Sequence, residues 1–586
     1  MKPRNRSLRA STHTQVSQEA TIRDKSNGRR STEQAAHSPF RRVMALPSAK
    51  AVLVVLMIFT TAGQASGQTF PVWVAPRLDR VGQTDAPGTT TTISLYSGRG
   101  ETVASQVIVQ APSGGLSNVN LSASALTGPN GATIPASSIT LYREFYVTVN
   151  GTTNYGGGSN KPMDSGTYPE PLIPFNDPQT GSPLCGTSAA LKACNASVLT
   201  GQNQPYWIDI FVQRGATNSP PGTYTGNVSV TTDQGSATIP VALTVWSFEL
   251  PIQPSELSLW SLWPPATGGS DNDIKNLAQA LMRNKMMYRV DLRTEAASDI
   301  TNFGLNRSGL DYYFDVRIQC DGSYNRIPST SEINLESSPF PAGLPLDLYV
   351  GDELNNCPAA YTPLKTMGTN AHAANPSVKT TITMNTPDPN LYDEGDGRSA
   401  IDHWVLLDSQ LGWPPLPWSG PGDLWSYTSC NTGSGDTPEW MTDYPPINER
   451  IQAGFVNWTE GATGILYYRV DGWNAGNTLA SWNNLNVTAC LGNSRPGDGM
   501  FLYPPAPIAS SESAPGIRLK AIRDGVQDYE YAHLLHTLGQ DAFVNATLQS
   551  NYPSWTWTNW PRDPHGNAVE NARLQMGQKL NQLSPP

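Results

Sequence analysis

Two acids, Asp352 and Glu353, stand side by side where an apolar run ends, in the stretch "LDLYVGDELNN" at 346–356. Residues 346–350 read as a buried strand, so the chain places adjacent negative charges at a strand end, ahead of polar loop residues. Two carboxylates can cleave a glycosidic bond when one stays protonated as general acid and the other is ionised. Neighbouring acids from one strand end cannot readily flank a sugar ring, which disfavours a nucleophile set opposite an acid. Adjacency suits a substrate-assisted scheme. In it a sugar's own 2-acetamido oxygen attacks the anomeric carbon, one acid protonates the leaving oxygen, and its neighbour holds the acetamide nitrogen. The competing reading of an acid pair after a strand is a helix N-cap with a first-turn carboxylate, which the helix dipole favours. Pro358 and Pro363 in the following loop argue for a later helix start.

Aromatic side chains recur near the same positions. Trp260, Trp263, Trp404, Trp425, Tyr427, Tyr468 and Trp473 fall on or just after strand-like runs. There they either offer stacking platforms to sugars or pack in a core. The candidate substrate-binding set is Trp260, Trp404, Trp425, Tyr427, Tyr468 and Trp473. Asp291, Glu295, Asp402, Asp408 and Asp471 also lie near strand ends. One of them would serve as a separate nucleophile if the substrate lacked an acetamide; otherwise each reads as a cap or loop ligand. The chain has no Gly-rich phosphate loop after a strand, no HExxH and no GxSxG elbow, and its seven His are scattered. Neither a metal, nor another cofactor, nor Ser-His catalysis is expected.

The elements that must position these groups fall into two textures. From Phe70 to about Leu250 short β-branched runs alternate with Gly/Pro/Asn turns, as in "ETVASQVIVQAP", "SITLYREFYVTV" and "ATIPVALTVWSFEL", the rhythm of an antiparallel β-sandwich. After Ser255, strand-like runs at 258–265, 286–293, 310–319, 346–350, 378–385, 401–408, 423–430 and 464–473 alternate with helical ones, among them 271–284 and about 446–458. Eight strands with interspersed helices fit a (β/α)8 TIM-like barrel, whose C-terminal face carries the catalytic groups. The fold expected is thus multidomain, β followed by α/β: an N-terminal extension and signal peptide (1–67), a β-sandwich (68–254), a (β/α)8-type catalytic barrel (255–510) and a C-terminal helical extension (511–586). In that extension "IRLKAIRDGVQDYEYAHLLHTL" reads as an amphipathic helix. Its Arg518, Arg523 and Asp528 are expected in a packing and ion-pair network rather than in chemistry.

With 586 residues the chain is long enough for two to four domains. The 12-residue apolar run 51–62, behind Arg41, Arg42 and Lys50, is short for a membrane span. It suits the h-region of a signal peptide, with Gly63 and Ala65 at the −3 and −1 positions of a cut. Export to the periplasm or beyond, with no stable membrane insertion after cleavage, is the expectation, and Met44 is an alternative start. Residues 51–586 hold 27 Lys/Arg against 45 Asp/Glu, an acidic body that argues against nucleic acid and anionic membrane and is compatible with a neutral carbohydrate partner. Six cysteines in an exported chain invite three disulfides, with Cys185–Cys194, Cys320–Cys357 and Cys430–Cys490 as the pairings expected.

Several longer stretches, in order, carry a resemblance: "RGETVASQVIVQAP", "YREFYVTV", "GTYPEPLIPF" and "PPGTYTGNVSV", then "YVGDEL", "DLWSYTSC" and "NERIQAGFVNWTEGATGILYYRVDGW", and finally "GDGMFLYPP" followed by "GIRLKAIRDGVQDYEYAHLL". By these the chain resembles glycoside hydrolase family 123 over most of its length. The resemblance implies an exo-acting β-N-acetylgalactosaminidase that works by substrate-assisted catalysis with retention. Glu353 would be general acid/base, and Asp352 would orient the acetamide and stabilise an oxazolinium-like intermediate. Relatives commonly have Pro after the acid pair where this chain has Leu354, so loop shape and the sugar accepted stay open. The alternatives are a glycosidase on acetamide-free sugars with a distant carboxylate nucleophile and a non-catalytic glycan-binding protein.

Overall fold

The computed structural model describes residues 70–153, 157–260, 308–309, 316, 318–411, 418–429, 437–483, 485–490, 493–552 and 563–584. The signal-peptide run, the strand expected at 286–293, the helix expected at 271–284, Asp291 and Glu295 lie outside the described residues.

Two sheets occupy the N-terminal part. One is antiparallel, in the order Val72–Ala75, Thr102–Gln110, Asn203–Phe211, Ile139–Val149, Gly166–Pro174. The other runs Ile93–Arg99, Gly235–Glu249, Gly222–Thr232, Leu116–Ala123, Ala196–Val198, with Ile93–Arg99 pairing in parallel at its edge. In Gly235–Glu249 the buried residues Ala237, Ile239, Val241, Leu243 and Val245 alternate with less buried ones. That period of two turns one face inward. Residues from both sheets, such as Val107, Ile208, Val228 and Leu243, share one core. The strands Thr102–Gln110 and Asn203–Phe211 are buried along nearly their whole length, because the far side of their sheet is covered as well: Ile517 packs there on Ala104, Tyr142, Leu172 and Trp207.

The second part is built on seven parallel strands: Leu257–Trp260, Ser308–Gly309, Leu346–Gly351, Val378–Met384, His403–Leu407, Asp423–Tyr427 and Gly464–Tyr467. The last six lie side by side in chain order, and the first pairs with the last. This is the neighbour order of a barrel sheet. Among the described residues it forms an open arc, since the stretch between Leu257–Trp260 and Ser308–Gly309 lies outside them. The expected strand 464–473 stops at Tyr467, and Asp471 instead bridges Met500 in antiparallel fashion. Helices join some strands: Thr330–Ser337, opened by a capping box at Ser329 and Glu332, and Tyr361–Ala374. Between Val378–Met384 and His403–Leu407 there is only the single turn Pro389–Leu391.

Strand alternation sorts the side chains of this sheet into two sets. Leu346, Leu348, Val350, Ile382, Trp404 and Leu406 pack with Leu364, Met367 and Ala371 of the helix Tyr361–Ala374. The opposite face carries Leu259, Val405, Leu407, Trp425, Tyr427 and Leu466, with Tyr349 packed against them.

The helix Ile517–Thr537 is buried on almost every side rather than amphipathic, and it joins the two parts. Arg518 Nε donates to Glu170 Oε1 at 2.9 Å and Arg523 Nη1 to Asp209 Oδ2 at 2.9 Å, both on N-terminal strands. On the other side Arg450 Nε donates to Asp528 Oδ2 at 2.7 Å. The crossing is close: a Cβ on Gly525 would stand 2.4 Å from the Arg450 carbonyl oxygen. Opposite it the backbone widens into a π-helical turn, Gln452–Val456, in which Gly454 leaves helical angles. The residues Ala65–Pro586 form one compact unit. Disulfides join Cys185 to Cys194 and Cys320 to Cys357 as expected; the Cys430–Cys490 pairing lies outside the described side chains.

Candidate active site

Asp352 and Glu353 follow directly on the strand Leu346–Gly351, at its C-terminal end, and both are exposed. Neither caps a helix. The short turn Pro358–Ala360 starts from Cys357 and the helix Tyr361–Ala374 from Ala360, each without a side-chain cap. The capping reading is thereby excluded.

The two acids are tied instead to neighbouring strands. Thr383, buried in Val378–Met384, accepts from the Glu353 backbone N–H at 2.9 Å and donates to Asp352 Oδ1 at 2.9 Å. Tyr349 Oη lies 2.7 Å from Asp352 Oδ1 and 2.6 Å from Thr383 Oγ1. Glu353 has φ 50°, a left-handed conformation rare for a residue with a side chain. That turn sends its carboxylate towards the strand Asp423–Tyr427, where Tyr427 Oη donates to Oε1 at 2.9 Å. Among the described residues nothing donates to the second oxygen of either acid. Burial and the neighbouring charge of Glu353 push the Tyr427 phenol far above its ordinary value, so it stays a neutral donor.

The loop after the acids is held from two directions. Cys357 is stapled to Cys320, and Leu354 is buried among Leu348, Val350 and Ile382. Leu354 folds over Gly351, where a Cβ would meet its Cδ1 at 2.4 Å. The residue that departs from the expected Pro is therefore a core anchor of this loop.

Other expected residues are placed differently. Trp260, Trp404 and Trp425 are fully buried and Trp473 almost so. Trp260 stacks on Trp440, Trp425 stacks on His403, Trp404 Nε1 donates to the Pro421 carbonyl, and Trp473 Nε1 donates to that of Leu502. Their faces are spent on packing and they offer no platform to a sugar. Tyr468 is half-buried and hydrogen-bonded to Asp498. Tyr427 is the one aromatic of the expected set that touches the acid pair.

The alternative carboxylates have other partners. Asp402 accepts from His372 Nε2 at 2.9 Å, and His372 lies 2.9 Å from Glu394 through Nδ1, an anchor between helix and sheet. Asp471 pairs with Arg469 at 3.0 Å. Asp408, at the end of His403–Leu407, is fully buried and accepts from Gln452 Nε2 at 2.9 Å. Burial, with Glu439 adding to it, holds its carboxyl well above the usual range and so protonated. Among the described residues no group of three His, Cys, Asp or Glu could hold a metal ion, and no helix is long and apolar enough to cross a membrane.

Residues 80–232 match the model of the glycoside hydrolase 123 N-terminal domain. A family 123 glycoside hydrolase from Clostridium perfringens, solved in a study of glycolipid glycan hydrolysis, superposes with a TM-score of 0.63 at 15% identity, over 88% of this chain and 100% of that one. The chain is glycoside hydrolase family 123-like. The likeness to the Clostridium structure is one of fold, and it spans both the N-terminal sheets and the parallel sheet. A β-glucuronidase of Parabacteroides merdae matches at a TM-score of 0.24 and 9% identity, over 67% of this chain and 47% of that one. A GH10 xylanase with a bacterial Ig-like domain, from termite gut, matches at 0.23 and 9%, over 56% and 90%. No curated protein matches the sequence.

Sequence reasoning missed Tyr349 and Thr383, which secure the acid pair. The signal was the alternation itself: Tyr349 in "LDLYV" and Thr383 in "TTITM" are the residues that a period of two turns away from the helix-covered face.

Proposed function

We propose that this family 123-like chain is an exported hydrolase that cleaves 2-acetamido sugars, such as β-N-acetylgalactosamine, from glycans with retention. Glu353 protonates the leaving oxygen while the substrate's acetamide oxygen attacks the anomeric carbon. Asp352 accepts the acetamide N–H and balances the positive charge of the resulting oxazolinium. Glu353, now ionised, then takes a proton from the water that opens the ring, restoring both acids.

The observation that carries this reading is the division of labour within each carboxylate. One oxygen is fixed, Asp352 Oδ1 by Tyr349 and Thr383 and Glu353 Oε1 by Tyr427, while the other has no donor among the described residues. A carboxylate held this way is oriented before substrate arrives. Asp402, Asp408 and Asp471 each have another partner, which weighs against a separate nucleophile among the described acids. The structurally similar Clostridium enzyme is described as acting on glycolipid glycans, which agrees with a glycan substrate here.

The test is chromophore release from a panel of nitrophenyl glycosides, β-N-acetylgalactosaminide and β-N-acetylglucosaminide beside acetamide-free sugars, with wild type and Glu353→Gln. Turnover confined to the acetamido sugars and lost in the variant supports the assignment. Turnover of acetamide-free sugars requires a separate nucleophile, and silence on every sugar leaves a glycan-binding protein as the better description.

A further inference from the structure

A cavity of about 520 Å³ opens where Val72–Ala75 and Ile93–Arg99, the edge strands of the two N-terminal sheets, meet the C-terminal helix Asn567–Leu583. That volume lies within the range of small-molecule sites, about 300–1,000 Å³. None of its lining residues belongs to the acid pair or to the strands that hold it.

Its mouth carries an aromatic plate. Tyr96 is 46% exposed and lines the cavity, and its ring stacks on Trp246 with centroids 5.8 Å apart and planes 21° off parallel. Trp246 stacks in turn on Phe248 at 5.6 Å, and the helix passes so close that a Cβ on Gly577 would collide with the indole. The support beneath Tyr96 is therefore fixed.

Its depth carries a hydroxyl. Ser105 lies on the same face of Thr102–Gln110 as Val103 and Val107, which belong to the core between the sheets. It is 6% exposed, and its hydroxyl has no hydrogen-bond partner among the described residues. Thr92 and Ser94, on the approach to Tyr96, also line the cavity with hydroxyls that have no partner among the described residues. The charges around them are spent. Arg77 Nε donates to Glu570 Oε1 at 2.8 Å and its Nη1 lies 3.2 Å from Asp524, while Arg573 Nη1 donates to Asp528 Oδ1 at 2.7 Å and its Nη2 pairs with Glu101. His565 pairs with Asp79 at 2.6 Å.

We infer that this cavity is an accessory site for a short neutral saccharide, which lays one ring on Tyr96 and turns its hydroxyls to Thr92, Ser94 and Ser105. A sugar ring presents C–H groups to an aromatic face and hydroxyls that both give and accept hydrogen bonds, and the lining answers each. No guanidinium is left over for a carboxylate, sulfate or phosphate. An alkyl chain would cover the lining hydroxyls without meeting them, which is unfavourable. The site holds the enzyme on a glycan and takes no part in bond cleavage, so it stands apart from the role given to Glu353.

The test applies the full chain carrying Glu353→Gln to an array of immobilised neutral and anionic oligosaccharides, with and without Tyr96→Ala or Leu574→Trp. Tyr96 is exposed, and Leu574 is a half-buried residue of the cavity wall, where tryptophan would fill the space; circular dichroism checks both folds. The expected result is that at least one neutral oligosaccharide is retained and binds at least tenfold more weakly in both variants. Retention of no neutral oligosaccharide, equal binding in the variants, or dependence on Tyr96 for anionic glycans alone overturns the inference. So does a dodecanoate probe that binds in place of any saccharide and is lost in both variants. With Glu353 restored, Tyr96→Ala should leave kcat/KM on the nitrophenyl glycoside within twofold of wild type, and a larger loss overturns the accessory role. Absence of turnover there counts against the proposed function and leaves the array to decide the cavity.

Discussion

Tyr427 ends a strand three places along the parallel sheet from the one that Glu353 follows, and its hydroxyl donates to Glu353 Oε1 at 2.9 Å. Nothing else among the described residues holds that carboxylate. Tyr427→Phe should lower kcat about 10- to 100-fold with KM little changed, since a small misplacement of a reacting group is enough for such a loss. Steady-state kinetics on the acetamido glycoside check this, with circular dichroism to show an intact fold.

Thr383 is the hub of the other acid, with one hydroxyl oxygen serving Asp352, Tyr349 and the Glu353 amide. Thr383→Val keeps the shape and removes all three contacts. We expect kcat/KM to fall about 10- to 100-fold and Thr383→Ser to restore most of it. Failure of serine to rescue would mean that the methyl group, and not the hydroxyl, matters.

The left-handed backbone at Glu353 can be weighed separately from its side chain. Glycine adopts φ 50° freely, whereas alanine there is disfavoured by about 1 kcal/mol. Glu353→Gly should therefore be more stable than Glu353→Ala by about that amount, although both lose the same carboxylate. Urea denaturation midpoints of the two variants give the difference directly.

Arg518 is fully buried, with Glu170 and three backbone carbonyls as its partners. Arg518→Met leaves those carbonyls and the Glu170 charge without a major partner, so a loss of about 3–5 kcal/mol is expected. Arg80 also pairs with Glu170 at 2.8 Å, which places the effect at the lower end. Equilibrium denaturation would measure it.

Glu449 is buried, and desolvation raises its carboxyl from the usual 4.5 to about 8. The folded state then holds a proton that the unfolded chain releases above about pH 4.5. Its contribution to stability is full below that pH and is lost as pH rises through about 8. Denaturation midpoints taken from pH 5 to pH 8.5 should fall for wild type and fall less for Glu449→Gln.

The acid pair was legible because two charges after a hydrophobic run are anomalous in one dimension. Its supports were not, since Thr383 and Tyr349 are ordinary strand residues until neighbouring strands bring them together. The tryptophans misled for a related reason: a bulky aromatic at a strand end looks the same whether its face meets solvent or another ring, and Trp260 meets Trp440. The strands at 346–350, 378–385, 401–408 and 423–430 were legible from the spacing of apolar runs. The depth of Ile517–Thr537 was not, because its arginines suggest a polar face until Glu170, Asp209 and Asp528 arrive from distant segments to neutralise them.

Glutamate and glycine codons differ by one base, and position 353 is where the backbone itself would accept that change most readily. The carboxylate could thus be lost in one mutational step without straining the fold. The stapled loop and the buried Leu354 would both survive.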